Sequence, residues 1–242
     1  MRLLYVSSKT RFDLMFSVNV LATRQQNCTR RDEEALAQLI DYAKRTKEQS
    51  LVIQAKKPLK LEASADASYG CHPDGRGHTG IVCTLGGATV FARSRKQHLV
   101  CKSSTEAELI ALNQATDEVL YLRHLLDELG YPQKEATTIL QDNKSAMTMA
   151  SKGELGTKRT KHFTIRHYFV AEQTRAGNIA LRYEPGASIA ADGLTKPLSA
   201  GPFQLWVKRL LPSSESEPAE PTPGSRGRVG QEYQVVSPPL SK

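Results

Sequence analysis

Two β-rich runs, residues 79–85 and 88–92, are separated only by Gly86-Gly87. A glycine pair between such runs predicts a tight hairpin, because both turn positions need a positive φ. A third run precedes them. Leu61-Glu-Ala-Ser-Ala-Asp-Ala-Ser68 alternates apolar and polar residues, the pattern of a half-buried strand. The stretch 69–78, with its glycines and Pro73, reads as the turn between them. A long helical pattern follows over 105–129, closed by Gly130 and Pro132. The spacing then predicts a strand at 137–140, helices at 143–151 and 163–175, a strand at 178–183, and helical stretches at 188–195 and 203–211. Three strands, helix, strand, two helices and a last strand specify an α/β fold, a mixed five-stranded sheet flanked by helices.

The flanks differ from this middle. Residues 1–56 read as helical. Leu36, Leu39, Ile40, Tyr42 and Ala43 recur near a period of 3.6, with Thr29 as N-cap and Asp32 three residues on. Residues 212–242 hold six of the chain's 12 prolines and few apolar side chains. Such a segment buries too little surface to offset its ordering entropy, so it is expected to be disordered. The chain thus divides into a helical segment at 1–56, an α/β domain at 57–211 and a tail at 212–242.

Charge narrows the partner class. Lys and Arg number 33 against 25 Asp and Glu, a formal charge of +8. The tail carries −1, so the rest carries +9. An excess of this sign favours a polyanion. Cys28, Cys71, Cys83 and Cys101 show no zinc-ligand spacing and read as buried or half-buried thiols in a reducing compartment. No apolar run approaches the roughly 20 residues that cross a bilayer. These features predict a cytoplasmic or nuclear protein with no membrane partner.

Four acids fall at informative places. Asp66 lies on the polar face of the first strand, where Asp is depleted. Glu108 heads the stripe 108, 112, 115, 119, 122 and 126 of the long helix, which reads Glu, Leu, Ala, Val, Leu, Leu and faces the sheet. Glu106, about 200° round the helix, is assigned to capping with Ser103. Asp142 ends the fourth strand, the place where open α/β sheets bind ligands. Asp192 lies near a short helical stretch. Hard cations such as Mg²⁺ take oxygen ligands. Carboxylates brought together from separate elements can hold two ions for in-line phosphodiester displacement.

These residues sit in a recognisable set of motifs. Ser94-Arg-Lys-Gln-His-Leu-Val-Cys-Lys-Ser-Ser-Thr-Glu-Ala-Glu-Leu-Ile-Ala-Leu112 resembles the signature of the ribonuclease H domain of copia/Ty1-type retrotransposons. So do Ala65-Asp-Ala-Ser, Leu140-Gln-Asp-Asn, Lys161-His-Phe-Thr-Ile-Arg-His-Tyr-Phe169 and Ala191-Asp-Gly-Leu-Thr-Lys-Pro-Leu198. Upstream, Tyr5-Val-Ser-Ser-Lys-Thr-Arg-Phe-Asp-Leu and Ala43-Lys-Arg-Thr-Lys resemble the end of the reverse transcriptase region of those polyproteins. The resemblance implies a ribonuclease H fold that cuts the RNA strand of an RNA–DNA hybrid. It implies two Mg²⁺ ions, or Mn²⁺ in their place, no small-molecule cofactor, and association with reverse transcriptase in a parent polyprotein. Asp66, Glu108, Asp142 and Asp192 match the acidic positions and are the expected catalytic and metal-binding residues. Lys96, Lys102, Lys158, Arg159, Lys161 and Arg166 are the expected contacts to nucleic-acid phosphates.

The departures are specific. Thr164 stands where the family has Asp. The loop Glu184-Pro-Gly-Ala-Ser188 lacks the His that cellular ribonucleases H carry there. No Asp-Asp pair occurs, so a polymerase site is absent from this chain. His162 and His167 lack companions at ligand spacing and read as structural. The expected activity is hybrid hydrolysis. The rival expectation is a catalytically silent retroelement remnant that binds nucleic acid or a partner.

Overall fold

The computed structural model describes residues 2–152 and 164–212. Residues 213–242 of the tail predicted at 212–242, with Lys158, Arg159, Lys161 and His162, lie outside the described residues, as do the side chains of Arg166 and His167. The chain opens with helices α1 (Arg2–Lys9), α2 (Met15–Thr23) and α3 (Arg30–Arg45). Strands β1 (Leu61–Ser68), β2 (His78–Leu85) and β3 (Ala88–Lys96) follow, then the long helix α4 (Ser104–Glu128). The remainder is β4 (Thr137–Gln141), α5 (Lys144–Lys152), α6 (Thr164–Arg175), β5 (Ile179–Tyr183), two 3-10 turns (Gly186–Ser188 and Asp192–Leu194) and α7 (Ala200–Leu210).

One sheet takes the order β3-β2-β1-β4-β5. The β1–β2 and β2–β3 pairs are antiparallel, while β1–β4 and β4–β5 are parallel. The hairpin forms because Gly86 and Gly87 both adopt positive φ, 54° and 82°. Helix α4 ends as the sequence requires: Gly130 takes φ 83° and Tyr131 N–H donates to the Leu126 carbonyl at 2.7 Å. Thr29 and Asp32 form a reciprocal capping box at the start of α3.

Two apolar layers cover the sheet. On one side Leu61, Ala63, Ala65, Ile81 and Ile139 pack against Leu112, Ala115, Val119 and Leu126 of α4, the predicted stripe. On the other, Val82 and Ala92 meet Ile189, Ala191, Leu194, Trp206, Val207 and Leu210. Phe12 and Met15 belong to this second layer, so the N-terminal segment shares a core with residues 189–211. The double cover corrects the half-buried reading of β1, in which Ala63, Ser64, Ala65 and Asp66 are all buried. The alternation there separates two interior faces rather than core from solvent.

Trp206 seals the second layer beside Gly193. Its Nε1–H donates to the Ala190 carbonyl at 2.7 Å, and a methyl on Gly193 would run into the indole. Of the four cysteines, Cys83 and Cys101 are buried and Cys71 is half-buried, as expected. Cys28 is exposed at the turn before α3, against the expectation, in a connection that no other described element covers. Among the described residues, no helix is long and apolar enough to cross a membrane.

Candidate metal centre

Asp66 sits near the end of central strand β1, and Asp142 lies directly after the parallel neighbour β4. Parallel strands end on the same side of a sheet, so both carboxylates arrive at one edge. Glu108 comes from the first turns of α4, which packs over β1. One ligand oxygen from each of Asp66, Glu108 and Asp142 falls within 4.8 Å of the other two. Asp66 and Glu108 are buried and Asp142 is half-buried.

The local sequence frees these acids for one another. Glu106, not Glu108, serves the helix end: its N–H bonds Ser103 Oγ at 3.2 Å and its carboxylate accepts the Lys102 N–H. Asn143, not Asp142, caps α5, accepting the Ala146 N–H at 2.9 Å. Gln141 is completely buried and bridges two of the acids. Its Nε2 donates to Glu108 Oε2 at 3.1 Å, while its Oε1 accepts the Asp142 N–H at 2.8 Å.

Asp192 starts a 3-10 turn beside this group. Thr195 Oγ1 donates to Asp66 Oδ2 and lies 2.9 Å from the Asp192 carbonyl. Lys196 Nζ pairs with Asp192 Oδ1, one turn back along the chain. Two glycines permit the approach. A methyl on Gly80 would lie 2.6 Å from the Ala191 carbonyl and 2.8 Å from Thr195 Cγ2. A methyl on Gly186 would lie 2.7 Å from Asp142 Oδ2 and 3.8 Å from Asp192 Oδ1. Gly186 thereby leaves the space between those two carboxylates clear.

The electrostatics follow from this crowding. Burial pushes the Asp66 carboxyl up to about 6, with the Asp192 and Asp142 charges adding to it against the Thr195 bond. Burial pushes Glu108 up to about 9, reinforced by Asp66 and Asp142. Asp142 is raised as well, by burial and then by Asp192. Burial opposes the charge on Lys196, yet Asp192, Asp66 and Asp142 together hold its pKa above the ordinary value. Acids that repel one another in a desolvated pocket lose that penalty when a cation neutralises them. The donors are all hard oxygens, with no thiol or imidazole among them, so the group fits Mg²⁺ or Mn²⁺.

All four predicted acids therefore lie at one edge of the sheet, Asp192 as a neighbour of the tight group of three. Of the predicted basic contacts, Lys102 is exposed just before α4, and Lys96 Nζ pairs with Asp74 at 2.7 Å. Gln141, Thr195 and Lys196 escaped the sequence reading. Each stands inside a quoted motif, next to or within four residues of an acid, and that adjacency was the available signal.

No protein-family model matches the chain. The Gag-Pol polyproteins of transposons Ty1-NL2 and Ty1-DR6 of Saccharomyces cerevisiae are each 29% identical to it over 211 residues, 86% of this chain. The chain spans only 12% of the length of those relatives. Among solved structures, LC11-RNase H1 in complex with RNA/DNA hybrid is 18% identical, with a TM-score of 0.43 over 56% of this chain and 94% of that one. The protease-reverse transcriptase of prototype foamy virus is 18% identical, with a TM-score of 0.40 over 59% of this chain and 21% of that one. The chain is thus similar to the Ty1 Gag-Pol polyproteins over 86% of its length, and its described part is the five-stranded mixed sheet with flanking helices that its strand and helix pattern predicts.

Proposed function

We propose that the chain is a divalent-metal-dependent ribonuclease H that hydrolyses the RNA strand of RNA–DNA hybrids. The observation that carries this reading is the convergence of Asp66, Glu108 and Asp142 within 4.8 Å, from a strand, a helix start and a neighbouring strand end. Asp192, across the gap that Gly186 leaves, completes a set of four that would hold two Mg²⁺ ions. Such ions, when bound, supply Lewis-acid charge at a phosphodiester and lower the pKa of the attacking water.

The chain's own residues prepare that site. Gln141 keeps the Glu108 carboxylate turned toward Asp142. Thr195 fixes the orientation of Asp66. Lys196, half exposed, adds positive charge beside Asp192 where a phosphate backbone approaches. Lys96 and Lys102 supply further phosphate contacts, which makes hybrid binding salt-dependent. Choice of a hybrid over other nucleic acids, and association with reverse transcriptase in a parent polyprotein, are supported by the motif resemblance and the Ty1 similarity.

The test is cleavage of a hybrid with labelled RNA, in Mg²⁺ and in EDTA, by the full chain and by Asp142→Asn. Metal-dependent cleavage that the substitution abolishes is expected. No cleavage by the unsubstituted chain, together with retained hybrid binding, would favour a silent nucleic-acid-binding remnant instead. Equal cleavage by Asp142→Asn would sink the site assignment.

A further inference from the structure

A row of three residues crosses the sheet beneath the turn that carries Asp192. Asp66 of β1 is in register with Gly80 of β2, and Gly80 with Ser94 of β3. Residues in register share a face. The 191–195 segment lies against this row, closest over Gly80, where a methyl would meet Ala191, Leu194 and Thr195. Hydroxyl bonds fasten the segment to both ends of the row. At one, Thr195 Oγ1 bonds Asp66. At the other, Ser94 Oγ–H donates to the Leu194 carbonyl at 2.7 Å.

The second bond is itself oriented. His78, fully buried two residues before Gly80, has Nε2 at 2.7 Å from Ser94 Oγ and Nδ1 at 2.9 Å from His72 Nε2. The hydrogen positions follow by elimination. A carbonyl only accepts, so the single Ser94 hydroxyl hydrogen goes to Leu194. Ser94 must then accept from His78, which places the His78 hydrogen on Nε2. The bare Nδ1 of neutral His78 accepts in turn from His72 Nε2–H. Burial, followed by the neighbouring His72, presses His78 down to about 3, which keeps its ring neutral. Phe16 of α2 packs edge-on against that ring, with centroids 5.2 Å apart.

We infer that Ser94 and His78 are positioning residues of the carboxylate site, setting the Asp192–Thr195 turn through the Leu194 carbonyl, with Phe16 of the N-terminal segment bracing His78. Neither side chain touches the acids. A plain packing role would be met by any apolar pair of similar volume. The directed chain from His72 to Leu194 instead fixes where one backbone carbonyl lies, and with it the position of the next residue, Thr195, whose hydroxyl holds Asp66. The metal and turnover arms of the test rest on the nuclease reading above, whereas the exchange arm does not.

Three measurements on the full chain compare Ser94→Ala with Ser94→Thr, which keeps the hydroxyl. Amide hydrogen exchange in EDTA reads the turn directly: Ser94→Ala is expected to speed exchange over 189–196 about tenfold while 61–68 stays protected, and Ser94→Thr to match the unsubstituted chain. Calorimetry with Mn²⁺ alone is expected to show affinity weakened about tenfold by Ser94→Ala and retained by Ser94→Thr. Hybrid cleavage is expected to lose kcat with KM unchanged. His78→Leu keeps Ser94 but removes the donor that orients it, so a smaller loss in the same direction is expected. This variant decides the matter by the same readouts if Ser94→Ala fails to fold. Unchanged exchange in Ser94→Ala would overturn the inference. So would equal losses in Ala and Thr variants, or exchange that rises equally across the sheet. An unsubstituted chain that neither binds Mn²⁺ nor cleaves would end the nuclease reading and leave the exchange result to decide the turn.

Discussion

A glutamate carboxyl held near 9 prefers its proton in the folded protein far more than in the unfolded chain. Stability from Glu108 is therefore fully present below its ordinary value of 4.5 and falls as pH rises toward 9. Metal affinity runs the other way, because the proton must leave before a cation binds. Glu108→Gln, which cannot ionise, is expected to raise the melting temperature in EDTA at pH 8 and to abolish Mg²⁺-dependent stabilisation. A lower melting temperature in EDTA would show that Glu108 is not penalised by its burial. Asp66 behaves likewise over a lower window, from 3.8 to about 6. Thr195→Val removes the hydroxyl that holds Asp66 and is expected to cost about 1–3 kcal/mol in denaturant unfolding. Asp66 and Glu108 were legible because a carboxylate inside a strand or at the head of a buried helix stripe is costly without a purpose. Asp142, which an N-cap role could equally explain, and Asp192 were legible chiefly through the motifs around them. Gln141 and Thr195 were not, since an amide or hydroxyl beside an acid looks the same whether it faces water or its neighbour. Only the buried contact distinguishes the two.

The elements carrying these residues were read with small errors, and each error has a cause. The long helix came out within a residue at either end because its caps, Ser103 and Gly130, are encoded locally. Strand β3 runs on to Lys96, past the predicted residue 92, because pairing with β2 continues through Ser94 and Arg95. Its own alternation does not show this. The helical stretch expected at 188–195 became two 3-10 turns, since Gly186 and Gly193 favour tight turns over a regular helix. The crossing of the 191–195 turn over Gly80 was invisible, being a contact between segments more than 100 residues apart. Gly80→Ala is expected to push that turn off the sheet and to weaken Mn²⁺ binding at least tenfold in calorimetry, with β1 and β2 still protected from exchange. Retained affinity would mean that the turn tolerates the displacement.

At the scale of the molecule, the N-terminal helices are joined to the sheet by packing and to one another by a buried ion pair. Arg11 meets Asp13 through two bonds of 2.9 and 2.7 Å, Tyr42 donates to the same carboxylate, and Arg11 reaches Thr46. Nothing in the sequence of 1–56 revealed this, because its apolar period fits a free-standing helical unit as well as a layer on a sheet. Met15→Ala, within the shared core, is expected to cost about 2–5 kcal/mol and to lower one melting transition for the whole body. Two separate transitions, only one of them shifted, would show that segment and sheet melt independently. Trp206 offers a way to watch the site itself. It is the chain's single tryptophan, and its indole covers Gly193, the residue after Asp192. The protein therefore carries one tryptophan fluorophore, excitable apart from its tyrosines and fixed by packing beside the turn whose position decides the fourth carboxylate. Its emission should change when Mg²⁺ is titrated in and be quenched by paramagnetic Mn²⁺, so that cation arrival becomes an optical signal without any label.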